Sequence, residues 1–141
     1  MTILTDKDRQ AVRDRLQAVR EPVKLVYFTQ ELECPTCRET GQLLRELSEL
    51  SEKLSLQVYN FQLDREEVDR YKIDKIPATV VIGAKDYGIR FYGMPLGYEF
   101  ATLLEAILAV SRGKSNLSPK SIERLRAVKV PLHLQVFVTP T

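Results

Sequence analysis

Tryptophan is absent from this chain, histidine occurs once, at position 133, and cysteine only at positions 34 and 37. Two cysteines and one distant histidine cannot complete the four-ligand set of a structural zinc site without a second chain. No stretch approaches the ~18 consecutive apolar residues of a membrane-spanning helix. The opening segment, MTILTDKDRQAVRDRLQAVR, is charged throughout and lacks the apolar run of a secretory signal, so the expected compartment is the cytoplasm. Charge of one sign is also missing. Against 21 Lys and Arg stand 19 Asp and Glu, mixed along the chain, for a net charge of +2. No basic stripe is left to hold nucleic acid or an anionic membrane. Gly83, Gly88, Gly93 and Gly97 have turn-like surroundings and no phosphate-loop pattern. There is neither an internal repeat nor a low-complexity run.

What is present fits one soluble globular unit. The chain has 141 residues, 44% hydrophobic and 28% charged, enough to bury a core without a covalent staple. That shifts attention to why Cys34 and Cys37 stand three apart, with Pro35 and Thr36 between them. In a cytosolic chain a C-x-x-C is more often catalytic or redox-sensing than structural, although thermophile cytosols do keep structural disulfides. The residues favour a redox pair. A metal clip shared with a second chain and two inert thiols are the competing readings.

Periodicity divides the chain into alternating elements. Residues 5–20 read as a helix, with Thr5 and Asp8 as a capping box and Val12, Leu16 and Val19 on one face. VKLVYFT, 23–29, reads as a buried strand. From Pro35 a second helix runs to Leu54, with Leu43, Leu44, Leu47 and Leu50 along one side and Pro35 in its first position. Residues 55–64 read as a strand and 65–73 as a short helix. Residues 78–82 and 89–93 form a hairpin around an 84–88 turn, and 97–113 an amphipathic helix closed by Gly113. Ser118 and Pro119 open a further short helix, and 132–138 alternate as a last strand. His133 is expected in a core or an interface, and the six tyrosines in packing roles.

This order, with CPTC heading a helix and YKIDKIPATVVI heading a hairpin, resembles the thioredoxin fold from Val23 to Gly113. The resemblance implies an α/β architecture: a central mixed sheet flanked by helices, here with a C-terminal extension. YGMPLGYEF, LSPKSIERLRAV and PLHLQVFVTPT are similar to the glutaredoxin-like protein disulfide oxidoreductases, which carry two thioredoxin units in tandem. They are similar too to the paired thioredoxin-like domain at the N-terminus of the alkyl hydroperoxide reductase flavoprotein. On that likeness, 1–113 is a thioredoxin-like unit with an extra N-terminal helix and 114–131 a linker with a short helix. Residues 132–141 are then the opening strand of a second unit whose own C-x-x-C is missing here. Two features depart from the thioredoxin pattern. Glu33 stands where thioredoxins carry Trp, and KLVYFT offers no buried Asp, so that proton-transfer role has no candidate.

The resemblance implies a thiol–disulfide oxidoreductase acting on protein disulfides, with no cofactor of its own and a thioredoxin-reductase-like electron donor. The competing functions are a docking module for a partner redox domain and a redox sensor. A free thiol titrates near ~8.5, and a helix N-terminus or a C-x-x-C lowers this to roughly 3.5–7.5. Cys34, placed just before the helix, is expected to attack, and Cys37, one turn inside, to resolve the mixed disulfide. Nearby Glu31 and Glu33 oppose the thiolate. Pro35 stiffens the turn and Thr36 adds a hydroxyl beside the sulfurs. The resemblance makes Ile76–Pro77 a cis bond facing the cysteines, with the Ile76 backbone pairing an extended substrate segment. The strand 132–138, having no partner of its own, is expected to join the sheet edge or to pair in a homodimer.

Overall fold

The computed structural model describes residues 1–139. In chain order its elements are α1 (Asp6–Leu16), β1 (Val23–Thr29), α2 (Cys37–Ser48), β2 (Leu54–Asn60) and α3 (Arg65–Arg70). There follow β3 (Ala78–Ile82), β4 (Asp86–Tyr92), α4 (Tyr98–Arg112) and α5 (Pro119–Arg126). The strands form one mixed sheet in the order β2-β1-β3-β4. β1 runs parallel to β2 and antiparallel to β3, and β3 runs antiparallel to β4. No helix among the described residues is long and apolar enough to cross a membrane.

Burial follows from this order. β1 sits inside the sheet, and Leu25, Val26, Tyr27 and Phe28 are at most 1% exposed. Alternate side chains of β1 feed two cores. Leu25 and Tyr27 pack with Val12 and Leu16 of α1, Leu43, Leu44 and Leu47 of α2, and Leu103 and Ile107 of α4. Val26 and Phe28 pack on the other face with Val68 and Tyr71 from and beside α3. Gly83 lets the end of β3 pass α4, since a Cβ there would stand 2.6 Å from the Val110 carbonyl oxygen.

The first helix is capped as its sequence requires: Asp8 N–H donates to the Thr5 hydroxyl at 3.1 Å and Thr5 N–H to the Asp8 carboxylate at 3.2 Å. It ends at Leu16, and Val19 reaches the core from the turn that follows. β1 and β3 have the boundaries their composition indicates. α2 is shorter at both ends than its apolar pattern suggests. Pro35 and Thr36 lie in the turn closed by the cysteines, and Cys37 is the first helical residue. β2 stops at Asn60, whose side-chain oxygen accepts from Gln62 and Leu63 N–H and folds 61–64 into a turn. β4 begins earlier than expected, at Asp86.

The expectation for 132–138 is not met within this chain. No strand occurs there, and Leu134, Val136 and Phe137 are 83–89% exposed. Alternation alone does not make a strand, because its N–H and C=O groups need a ladder partner. The segment does not join β2 or β4 at the sheet edges. His133 is exposed rather than in a core. Residues 140–141 of the expected second-unit segment lie outside the described residues.

Glu46 ties the N-terminus to α2. It is 3% exposed and accepts from Ile3 N–H at 2.8 Å, Leu4 N–H at 2.9 Å, the Gln42 amide at 3.0 Å and Arg9 at 3.3 Å. Burial pushes its carboxyl up, but the bonds from Gln42, Leu4 and Ile3 and the charge of Arg9 outweigh that and hold it below its ordinary 4.5. A lowered folded value stabilises the fold above the unfolded pKa, and the contribution fades as pH falls through the folded one. Glu46→Ala leaves two backbone N–H groups without their acceptor. It should cost about 2–3 kcal/mol in urea unfolding at pH 7. The gap between wild type and variant should narrow once the pH drops below 4.5. A gap independent of pH would show that the carboxylate charge plays no part.

Candidate functional site

The parallel pairing of β1 with β2 brings Thr29 opposite Asn60, and the antiparallel pairing with β3 brings Phe28 opposite Ala78. The carboxyl ends of β1 and β2 and the start of β3 therefore share one edge of the sheet. In open α/β sheets, that edge, where the connections diverge, is where ligands bind. Loop 30–36 leaves β1 there and carries the C-x-x-C into α2.

Cys34 and Cys37 are joined by a disulfide, with Cα atoms 5.4 Å apart. The turn is closed by a Cys37 N–H to Cys34 carbonyl bond of 3.4 Å. Thr36 presents its carbonyl to both the N–H (3.0 Å) and the hydroxyl (2.7 Å) of Thr40. Pro35 is exposed on the outside of this turn, beside Thr36. Cys34 is half-buried and opens onto a groove, whereas Cys37 is 3% exposed. The groove has a volume of about 670 Å³ and is lined by Cys34, Arg38 and Arg45 on one side and Tyr59, Asn60 and Asp64 on the other.

The Ile76–Pro77 peptide bond is cis. Pro77 directly precedes β3, so it belongs to the same sheet edge as the cysteine loop, and its carbonyl accepts from Gly93 N–H at 2.9 Å. Ile76, in the loop ahead of it, is half-buried. The expected pairs thus occupy one edge: Cys34 and Cys37 with Pro35 and Thr36, then Ile76 with Pro77.

Three residues that the sequence did not single out belong to the site. Tyr27, 1% exposed, donates its hydroxyl to the Cys37 carbonyl at 2.6 Å. Burial raises its phenol, the Thr29 and Thr40 hydroxyls and Arg45 pull it down, Glu39 adds to the rise, and the net shift is upward. The hydroxyl therefore remains a donor at neutral pH. Arg38 and Arg45 lie seven apart on α2, two turns on one face, which is a signal legible in helical spacing. Among the described residues no group of His, Cys, Asp or Glu is placed to hold a metal ion.

No family model matches the chain. Sheet order, helix placement and the C-x-x-C turn define a thioredoxin-like fold, and solved structures agree. A protein disulfide oxidoreductase from Aeropyrum pernix superposes with a TM-score of 0.82 and 26% identity, covering 92% of this chain and 57% of that one. The NTD_N/C domain of alkyl hydroperoxide reductase from Enterococcus faecalis gives 0.79 and 22%, covering 90% and 62%. Among curated proteins, the Bacillus subtilis NADH dehydrogenase is 27% identical over 108 residues, and an alkyl hydroperoxide reductase component of Staphylococcus epidermidis is 28% identical over 104. The match spans about three quarters of this chain but only 19% and 18% of those proteins. The likeness to the disulfide oxidoreductases and to the reductase N-terminal domain therefore agrees with the CPTC, YKIDKIPATVVI and YGMPLGYEF motifs.

Exposure separates the two sulfurs. After reduction, iodoacetamide at neutral pH should label Cys34 before Cys37, as read by peptide mapping. Faster labelling of Cys37 would reverse their order of accessibility.

Proposed function

We propose that this chain is a thiol–disulfide oxidoreductase that exchanges disulfides with protein substrates through Cys34 and Cys37. The observation that carries the reading is the half-buried Cys34 joined to a buried Cys37 at the mouth of the groove. In the reducing direction the Cys34 thiolate attacks a substrate disulfide sulfur, forming a mixed disulfide and expelling one substrate thiolate, which takes up a proton. The Cys37 thiol loses its proton and attacks Cys34 Sγ. The Cys34–Cys37 bond re-forms and the second substrate thiolate leaves. Two electrons pass from the dithiol to the substrate disulfide. An external dithiol donor, such as a thioredoxin-reductase-like partner, must then restore them.

The charges at the groove suit this chemistry. Arg38 and Arg45 favour an anion at Cys34, while Glu31 opposes it. Pro35 and Thr36 shape the turn that presents Cys34. The Ile76 backbone, ahead of Pro77, offers main-chain groups for an extended substrate segment at the same edge. The cytoplasm, where dithiols are kept reduced, suits such a cycle.

A second reading is a docking module that serves a partner redox domain. Similarity to the alkyl hydroperoxide reductase N-terminal domain favours it, since there the unit is a small part of a longer protein. Insulin reduction with dithiothreitol separates the two. Wild type should accelerate precipitation several-fold, and Cys34→Ser should fall to the uncatalysed rate. Equal behaviour of the two proteins would reject the enzyme and favour docking.

A further inference from the structure

We infer that Tyr27 is the positioning residue of the dithiol: its hydroxyl holds the Cys37 peptide so that Sγ of Cys37 is aimed at Cys34. The inference rests on the exchange reaction proposed above. Tyr27 lies on β1, an interior strand of the sheet, and Cys37 is the first residue of α2. The 2.6 Å bond between them links the interior of the sheet to the first turn of a helix. The Thr36 carbonyl is already held by Thr40, and the Cys34 carbonyl by Cys37 N–H. The Tyr27 bond adds a constraint from outside the helix and its turn.

Two neighbours show that the ring has a built seat. A Cβ at residue 41 would stand 3.2 Å from Tyr27 Cε2, so Gly41 leaves the space the ring fills. Thr79 faces Tyr27 across the β1–β3 pair and is fully buried, with its hydroxyl unpartnered. The phenol stands in the strand where the thioredoxin pattern has a carboxylic acid, but a protonated phenol can only donate or accept a hydrogen bond here. It cannot take the Cys37 proton, so its contribution is placement, and the proton leaves by another route.

Placement acts on the closing step alone. Cys34 attack on a substrate uses the outer sulfur. Resolution forms the Cys34–Cys37 bond and needs Cys37 in line with Cys34 Sγ. Tyr27→Phe keeps the ring and removes the bond. A hydrogen bond of this kind is worth roughly three- to tenfold in an equilibrium. Stopped-flow measurement on the reduced 141-residue chain with a mixed-disulfide-forming reagent, dithionitrobenzoate, separates attack from closure. Attack should stay within twofold of wild type, and closure should slow about fivefold. The glutathione equilibrium constant for forming the Cys34–Cys37 disulfide should fall by a similar factor. Unchanged closure and an unchanged equilibrium overturn the inference, as does an equal slowing of both steps.

Thermal melting checks that Tyr27→Phe is folded. If it is not, Gly41→Ala replaces it, because the added methyl must displace the ring by a few tenths of an ångström. The same selective loss of closure supports the inference, and wild-type closure overturns it. Should wild type equilibrate with glutathione yet fail on insulin, the function proposed above is lost. Tyr27 is then decided by the glutathione equilibrium: a fivefold shift supports it and no shift rejects it.

Discussion

The two-sided pairing of β1 sets the terms for the rest of the molecule. The middle of a strand with neighbours at both edges and cores on both faces is cut off from water, so each side chain there must be apolar or bonded. Leu25, Val26, Tyr27 and Phe28 meet that condition at or below 1% exposure, and the polar group among them, the Tyr27 hydroxyl, is bonded to the Cys37 carbonyl, while Lys24 and Thr29 reach the surface. Parallel pairing with β2 then obliges the chain to cross over, and α2 is that crossover. The cysteines stand where the strand hands over to the helix. Their location is a consequence of the sheet order.

The same handover explains the asymmetry of the two sulfurs. Cys37 begins α2, whose apolar side faces β1 and β2, and its neighbours Thr40, Gly41 and Leu44 are buried. Cys34 lies in the 30–36 loop between β1 and α2 and is half-buried. One sulfur is therefore within reach of a partner and the other within reach of the first. That is the arrangement a two-step exchange requires. Glu39 has a buried, unpartnered Oε2, and its charge adds to the upward push on the Tyr27 phenol.

Much of this architecture is legible in the residues, and the misses have physical causes. β1 and β3 are readable because continuous runs of β-branched and aromatic residues suit strands buried on both faces. The α1 cap is readable because Thr5 and Asp8 have the spacing their reciprocal bonds need. The start of α2 is misread from composition because Pro35 is equally at home in a helix's first position and in a tight turn. The Cys34–Cys37 link decides between them, and that is not a local preference. β2 reads as too long because alternation continues past Asn60, whereas the Asn60 side chain folds 61–64 back on itself. At the site, Cys34, Cys37 and Pro77 announce themselves through their chemistry. Tyr27 does not, since a tyrosine in an apolar strand looks like any packed ring until the partner of its hydroxyl is known.

The tail shows the limit of pattern in a sharper form. Residues 132–138 alternate as cleanly as β2 does, yet β2 is a strand and the tail is not. The difference lies in what stands alongside. Leu54, at the start of β2, pairs with Val23, and the whole of β2 follows β1 in register. The tail passes near Asp74, whose carboxyl Lys75 and, less strongly, His133 help to lower, but no strand edge receives it. Alternation is a statement about two faces, one wet and one dry. It becomes structure only when another surface supplies the dry side and another backbone the hydrogen bonds. For β2, β1 supplies both. For the tail, nothing among the described residues supplies either, so its apolar face of Leu132, Leu134 and Val136 remains exposed.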